Sequence, residues 1–408
     1  MSRPRHIPSQ LRRPTGWLPA TLLAYHHLGY PAVLWAWARL GGPQANPAAT
    51  LAGEPGKAAS RRTVHADDLP PVAYVIAAHD EADVIGAKVS STAALDYPRD
   101  RLRIVVACDG CTDDTAAVAR AAGADLVLEL PRGGKMAAQH AAVAAVDEPI
   151  VAFSDANSTW DADALHQLVD ALAEPGTGYA CGRVRFVQGD AEGGDNQEGV
   201  YWRYEMAIRS RESALASVTA GNGAIYAIRR AAYSAYAFDP VMGHDLAMPF
   251  QLVRAGWRAV DVPSARAWEK MVPTIDGEFR RKRRMMSHAW PIVLQAGMLD
   301  LRGLPTTYSA MLVSHRWLRY GGPLLHLWLG EASLRGARRS RIARLLVAGQ
   351  LAVLVLAARP QALPAGPVRR IGLLARYYVA TTAAIALGLR DHLIDGTEAS
   401  WTPPEGTR

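Results

Sequence analysis

The feature that most limits the fold of this chain is a regular alternation between residues 72 and 155. Short apolar runs, "VAYVIAAH", "RIVVACD", "ADLVLEL" and "IVAFSD", are separated by helical patterns over 81–95, 113–122 and 135–146. Strand, helix, strand in that rhythm predicts βαβ units, a parallel sheet and right-handed crossovers. Strands of such a sheet are covered on both faces, so they read as continuous apolar runs without polar alternation. Each run here stops at a polar residue, and in such folds the carboxyl ends of the strands open on the crevice where ligands bind.

Four polar loops therefore deserve chemical scrutiny. The first carries His79, Asp80 and Glu81, and the second Asp109 and Gly110. The third is "RGGK" with Lys135, and the fourth "SDANS" with Asp155 and Asn157. A carboxylate accepts a hydrogen bond from a base imide or a ribose hydroxyl. Gly133-Gly134 lets the backbone approach a diphosphate whose charge Lys135 balances. Asp155 and Asn157 offer two hard oxygen ligands one residue apart, suited to Mg²⁺ or Mn²⁺ shared with phosphate oxygens. Singly, each loop has a simpler explanation: acid-Gly as a turn, GGK as a flexible loop, DxN as a cap before a helix over 161–173. The ordered set at successive strand ends is what points to a nucleotide-diphosphate site.

The flanks are of another kind. Residues 17–40 are apolar over a length able to cross a bilayer, which takes about 20 residues. Arg3, Arg5, Arg12 and Arg13 precede them in a basic segment, 1–16. A cleaved signal peptide competes with this reading, but the apolar run is too long for a signal core, and Trp17, Trp35 and Trp37 suit interfacial anchoring, so a retained transmembrane anchor is expected. A Pro-, Gly- and Ala-rich linker, 41–68, leads to a catalytic domain over 69–290. Beyond it, 291–390 holds apolar stretches near 317–334, 342–358 and 370–388, separated by "RGARRSR" and "GPVRR" and followed by a polar tail, 391–408. These stretches lack the charged face of soluble helices, which makes them membrane spans or interfacial helices. With a cytoplasmic catalytic domain and all three crossing, "RGARRSR" would lie outside, against the positive-inside tendency, so one is expected to be re-entrant or to lie flat. The formal net charge of +7 gathers beside these apolar stretches and not along an aromatic-interleaved stripe, which favours an anionic membrane surface over nucleic acid. Three cysteines are too few for a disulfide framework, in keeping with a cytoplasmic domain. Cys108 and Cys111 form a CxxC, readable as redox or half a zinc site, but no second pair follows and buried or loop-filling thiols are the plainer reading.

From about Pro71 to Trp290 the residues resemble the inverting family 2 glycosyltransferases of the GT-A fold. "VIAAHDEADVI" is similar to that family's opening strand and Asn-Glu-Glu loop, with Asp80 in the Asn position. "ACDGCTDDT" is similar to its Ser-Asp-Gly-Ser-Thr-Asp-Asp-Thr element, "GGKMAAQHAAV" to its Gly-Lys helix, and "FSDANS" stands where its metal-binding Asp-x-Asp belongs. "GNGAIYAIRR" and "GHDLAMPFQLVRAGWR" resemble its acceptor-side loop and general-base helix. The resemblance implies a GT-A, Rossmann-like, mostly parallel α/β sheet domain flanked by transmembrane or interfacial helices. It implies that Asp109 holds the nucleotide base, uracil, that Asp80 and Glu81 lie at the same nucleoside, and that Lys135, Arg281 and Arg284 meet the diphosphate. Asp155 and Asn157 would hold Mg²⁺ or Mn²⁺, and Gly221, Asn222, Gly223 and His244 would border the acceptor. Asp245 takes the general-base position, deprotonating an acceptor hydroxyl for attack on the anomeric carbon with inversion.

Three departures stand out. Asn157 replaces the second metal-binding Asp, keeping an oxygen and losing a charge. His244 replaces the Glu that commonly precedes the base, and an imidazolium there would weaken Asp245 by lowering its pKa. The Gln-x-x-Arg-Trp signature of processive members is reduced to "RKRRM", in which Arg284 keeps the Arg but Met285 offers no indole surface. "RRKRR" reads equally as a basic membrane-facing helix, and 198–213 as an amphipathic helix bordering the acceptor cleft or packing on the core. The expected function is a multi-pass membrane glycosyltransferase facing the cytoplasm, using a nucleotide-sugar donor and a saccharide or lipid-linked acceptor. A sugar-nucleotide nucleotidyltransferase and a catalytically impaired nucleotide-binding membrane scaffold are the alternatives.

Overall fold

The computed structural model describes residues 17–40, 69–187, 197–270 and 275–399. The basic segment 1–16, the linker 41–68 and the end of the polar tail lie outside the described residues. The chain divides into two compact units, Leu34–Leu312 with Ala384–Arg408, and Met1–Val33 with Val313–Ala383.

The first unit is built on an eight-stranded sheet in the order β3-β2-β1-β4-β7-β6-β8-β5. Its first four strands are the apolar runs: β1 (Val72–Ala78), β2 (Leu102–Asp109), β3 (Leu126–Leu130) and β4 (Ile150–Asp155). They pair in parallel, with Ala78 beside Cys108 and Ala77 beside Asp155. All but one residue of β1 is buried, as a strand covered on both faces requires. Helices Ala82–Ala93, Thr115–Ala121 and Lys135–Ala144 provide the crossovers. Strand order reverses at β1, between β2 and β4, so the crevice opens where β1 and β4 end.

The second half of the sheet is mixed. β5 (Thr159–Trp160), β6 (Thr177–Val187), β7 (Ile225–Arg229) and β8 (Arg258–Lys270) include antiparallel pairs of β7 with β4 and β6, and of β5 with β8. Two consequences place the site. Ile225 pairs with Ser154, so the loop preceding β7 arrives at the carboxyl end of β4. Thr159 pairs with Trp268, so Glu269 comes alongside the turn that follows Asp155. On one face Leu165, Leu168, Val169 and Leu172, at helical spacing in Ala164–Ala173, join Ile85, Val89, Ile104 and Val106 in one buried cluster.

Residues 17–40 are helical through Trp17–Ala24 and Tyr30–Arg39, with a π-helical turn, Tyr25–Gly29, between them, and as far as Val33 they belong to the second unit. Leu23 packs there with Leu325 and Leu329 of the helix Leu318–Gly336. A polar seam runs through this unit: Tyr25 and His26 bond to Ser314, while His27 and His326 both reach the Tyr378 hydroxyl. Two helices among the described residues, Arg341–Ala358 and Pro367–Asp395, are long and apolar enough to cross a membrane. The 317–334 stretch, interrupted by Glu331, does not reach that threshold. Leu327, Leu345 and Val355 are 70% or more exposed, a concentration of outward apolar side chains that soluble monomers avoid.

Candidate active site

The four loops read from the sequence converge at the carboxyl ends of β1, β2 and β4. Asp80 has φ +50°, the left-handed region that Asn and Asp tolerate best among residues with a Cβ. That turn aims its carboxylate across to the loop after β2, where Oδ1 accepts from the Thr112 backbone N–H at 2.7 Å. Glu81 is buried, and its backbone N–H donates to the Thr115 hydroxyl at 2.8 Å. The first two loops are thus tied together by side-chain bonds across more than thirty residues of sequence.

Asp109 closes β2 with its carboxylate buried. It accepts from the backbone N–H groups of Gly133 at 2.6 Å and Gly134 at 3.0 Å, with the Arg132 guanidinium 3.3 Å away. The geometry makes Asp109 the anchor of the Gly-Gly loop. Gly110 is required for this approach: its φ is +58°, and a Cβ would lie 2.9 Å from the Arg132 backbone nitrogen. The anchored loop starts the helix on which Lys135 is the first residue.

Lys135 is the hub of the site. Its ammonium donates to Asp155 Oδ1, at the end of β4, and lies 3.4 Å from the Gly223 carbonyl. Gly223 in turn faces Asp245, whose side chain would be 3.9 Å from a Cβ there. Asp245 sits in the first turn of the helix His244–Arg254, and its carbonyl accepts from the Gly221 N–H at 2.6 Å. A Cβ on Gly221 would collide with the buried Tyr179 hydroxyl, so the loop packs this closely only with glycine. Asn222 is buried and caps its own turn, Oδ1 accepting from the Ala224 N–H at 3.0 Å. Asn157 occupies the half-buried turn between β4 and β5.

One expectation is corrected. His244 is 2% exposed, boxed by Phe153, Tyr226, Tyr233 and Tyr236 with ring centroids 5.1–6.0 Å away. Its Nδ1 meets the Tyr226 hydroxyl at 2.7 Å. Burial, with lesser contributions from the charges of Lys135 and His140, pushes its pKa down to about 3. It is a neutral ring in the core, not an imidazolium beside the base. The unfolded chain protonates this His near pH 6.5 and the folded one near 3, so folded stability is lost as pH falls through that window, by about one decade in the unfolding equilibrium per pH unit. His244→Phe is expected to flatten chemical-denaturation midpoints between pH 6 and 4; an unchanged pH slope would mean the ring is protonated in place.

Two residues that the sequence did not single out belong here. Glu269, on β8, carries a buried Oε1 with no hydrogen-bond partner among the described residues. Burial and then the charge of Asp155 hold its carboxyl well above the usual carboxylate range, while Lys135, Arg281 and Lys88 act in the opposite sense. Arg281 is half-buried on the helix that follows β8. Arg284 is half-buried on the same helix, Ile275–Leu294. Lys88 is a buried lysine on the helix Ala82–Ala93, beneath β4. Its signal was a Lys on the helical face otherwise formed by Ile85, Val89 and Thr92.

A mixed Rossmann-like sheet with acids and a lysine gathered where β1, β2 and β4 end defines a GT-A glycosyltransferase. Residues 70–287 match the model of "glycosyltransferase like family 2", and the chain belongs to that family. Uncharacterized glycosyltransferases of Mycobacterium tuberculosis and Mycobacterium bovis are 34% identical to it over 163 residues, 39% of this chain and 71% of theirs. Among solved structures, a mannosyltransferase from Pyrobaculum calidifontis in complex with GDP-Man and Mn²⁺ aligns over 93% of this chain and 99% of its own, with TM-score 0.67 and 21% identity. That likeness shows the fold.

Proposed function

We propose that this glycosyltransferase is membrane-bound and inverting, moving a sugar from a nucleoside-diphosphate sugar, with uridine as the base, to a polysaccharide or lipid-linked acceptor. The observation that carries the reading is the meeting of Asp155, Lys135, the Gly223 carbonyl and Asp245 around one spot at the end of β4. Asp245 takes the proton of the acceptor hydroxyl. The oxygen then bonds to the anomeric carbon from the face opposite the diphosphate, and the bond to the diphosphate breaks, inverting the centre. Lys135 brings positive charge to the departing diphosphate, with Arg281 and Arg284 as further cations on the helix that follows β8.

The donor set fits a hard divalent cation. Asp155 and Asn157 would hold Mg²⁺ or Mn²⁺, with the unpartnered Glu269 oxygen close to the same turn. Such an ion supplies charge that the diphosphate shares on leaving. The Pyrobaculum enzyme was solved with a guanosine donor, so guanosine sugars belong in the test beside uridine sugars. A thermal-shift panel of nucleotide sugars with and without Mn²⁺ identifies the donor, since a ligand at 100 times its dissociation constant adds about 2.7 kcal/mol. A panel in which no nucleotide sugar raises the melting temperature would remove the donor site.

The membrane part rests on the two long apolar helices and the exposed leucines around them. We place the catalytic unit on the cytoplasmic side, where nucleotide sugars are made, with 17–40 retained as an anchor. The basic run Arg280–Arg284 then meets an anionic leaflet that attracts each nearby cation by about 1 kcal/mol. A reporter inserted within 41–68 should report cytoplasmic; an external signal, or release of the protein by high salt, contradicts this placement.

A further inference from the structure

A fully buried lysine is rare unless its charge is satisfied, and Lys88 is 4% exposed. Its ammonium has three protons, and three acceptors surround it: the Tyr74 hydroxyl at 3.0 Å, Ser154 Oγ at 2.7 Å and the Ser158 carbonyl at 2.6 Å. The rings of Tyr74 and Trp160 stand 5.2 and 5.8 Å from it, near enough to add cation–π attraction. Ser154 and Ser158 bracket Asp155 and Asn157. Their hydroxyls lie 2.9 Å apart, and Ser158 closes the turn on the Asp155 carbonyl through its N–H at 3.3 Å and its hydroxyl at 3.2 Å. The acids whose charges act on Lys88 are Asp155 and Glu269, with burial pulling its pKa down to about 7 against them.

A core-filling role does not account for this arrangement, because an apolar side chain of similar length would fill the space and leave buried acceptors without a donor. We propose that Lys88 is a positioning residue for the cation-binding turn. It pins Ser154 and Ser158 so that Asp155 and Asn157 present their oxygens together. The carboxylate that Asn157 lacks makes the remaining ligands' placement more demanding, and Lys88 meets that demand from below the strand.

The inference rests on reading Asp155 and Asn157 as cation ligands, and its test separates the two. Free Mn²⁺ is counted by electron paramagnetic resonance in titrations of the full chain, with Mn²⁺ alone and with UDP or GDP added, for wild type, Asp155→Ala and Lys88→Met. Lys88→Met is expected to keep its circular dichroism and lose Mn²⁺ affinity about tenfold or more, the usual cost of removing a residue that orients a metal ligand. It should also raise KM for the donor without changing KM for the acceptor. Should Lys88→Met fail to fold, Ser154→Ala removes one of the ammonium's acceptors, and weakened Mn²⁺ binding is expected there too. Loss in Asp155→Ala alongside wild-type Mn²⁺ affinity in Lys88→Met, or in Ser154→Ala as its substitute, overturns the role of Lys88 alone. Wild type that binds no Mn²⁺, or Asp155→Ala that binds it undiminished, overturns both readings.

Discussion

Asp245→Asn is expected to slow sugar transfer about 10² to 10⁴-fold, the range for losing a general base, with nucleotide binding nearly intact. The substitution keeps size and hydrogen-bonding shape but removes the group that accepts a proton. It also spares the architecture: the bond from Gly221 runs to the main-chain carbonyl of Asp245, so the acceptor-side loop keeps its tie. The carboxylate stands beside Gly223, which is also within 3.4 Å of the Lys135 ammonium. A Cβ on Gly223 would lie 3.9 Å from both the Asp245 side chain and the Lys135 ammonium, so the two groups border one small space. Steady-state rates and nucleotide titrations on the same preparation check this, and near wild-type transfer would remove Asp245 from the mechanism.

Asp155→Ala is expected to lose divalent-dependent nucleotide binding. It removes the one carboxylate of the "SDANS" turn and also the ion-pair partner of Lys135. Asn157→Asp should act in the opposite direction, retaining or strengthening binding, because it restores an anionic oxygen where a hard cation wants one. Calorimetry across Mn²⁺ concentrations distinguishes them. Nucleotide binding indifferent both to Mn²⁺ and to Asp155 would reduce the segment to a turn.

The first four strands and their helices were legible because buried parallel strands admit few polar residues, and their ends fall where Asp109 and Asp155 stand. Motif order singles out Lys135 and Asp245, and the fold brings both beside Gly223. What a linear reading missed depended on strands meeting from remote parts of the chain. Glu269 lies in a strand whose neighbours, β5 and β6, begin about a hundred residues earlier, and nothing local marks it as facing Asp155. Lys88 looks like an ordinary surface lysine until the helix face is known. At His244, the place of the Glu that commonly precedes the base suggests a charge, whereas four aromatic rings from other elements bury the ring and keep it neutral. The family resemblance gives Asp109 to the nucleotide base, whereas its oxygens are engaged by the Gly133-Gly134 backbone, a geometry that no spacing rule reveals.

The most direct measurement is release of nucleoside diphosphate by the full chain in native membranes, across uridine and guanosine sugars with Mn²⁺ present. One donor class should turn over with stoichiometric labelling of a membrane-extractable saccharide or lipid, and Asp245→Asn membranes should release and label about 10² to 10⁴-fold more slowly. Nucleotide sugars that bind but are never cleaved, in wild type as in Asp245→Asn, would contradict the account and leave a nucleotide-binding scaffold in its place.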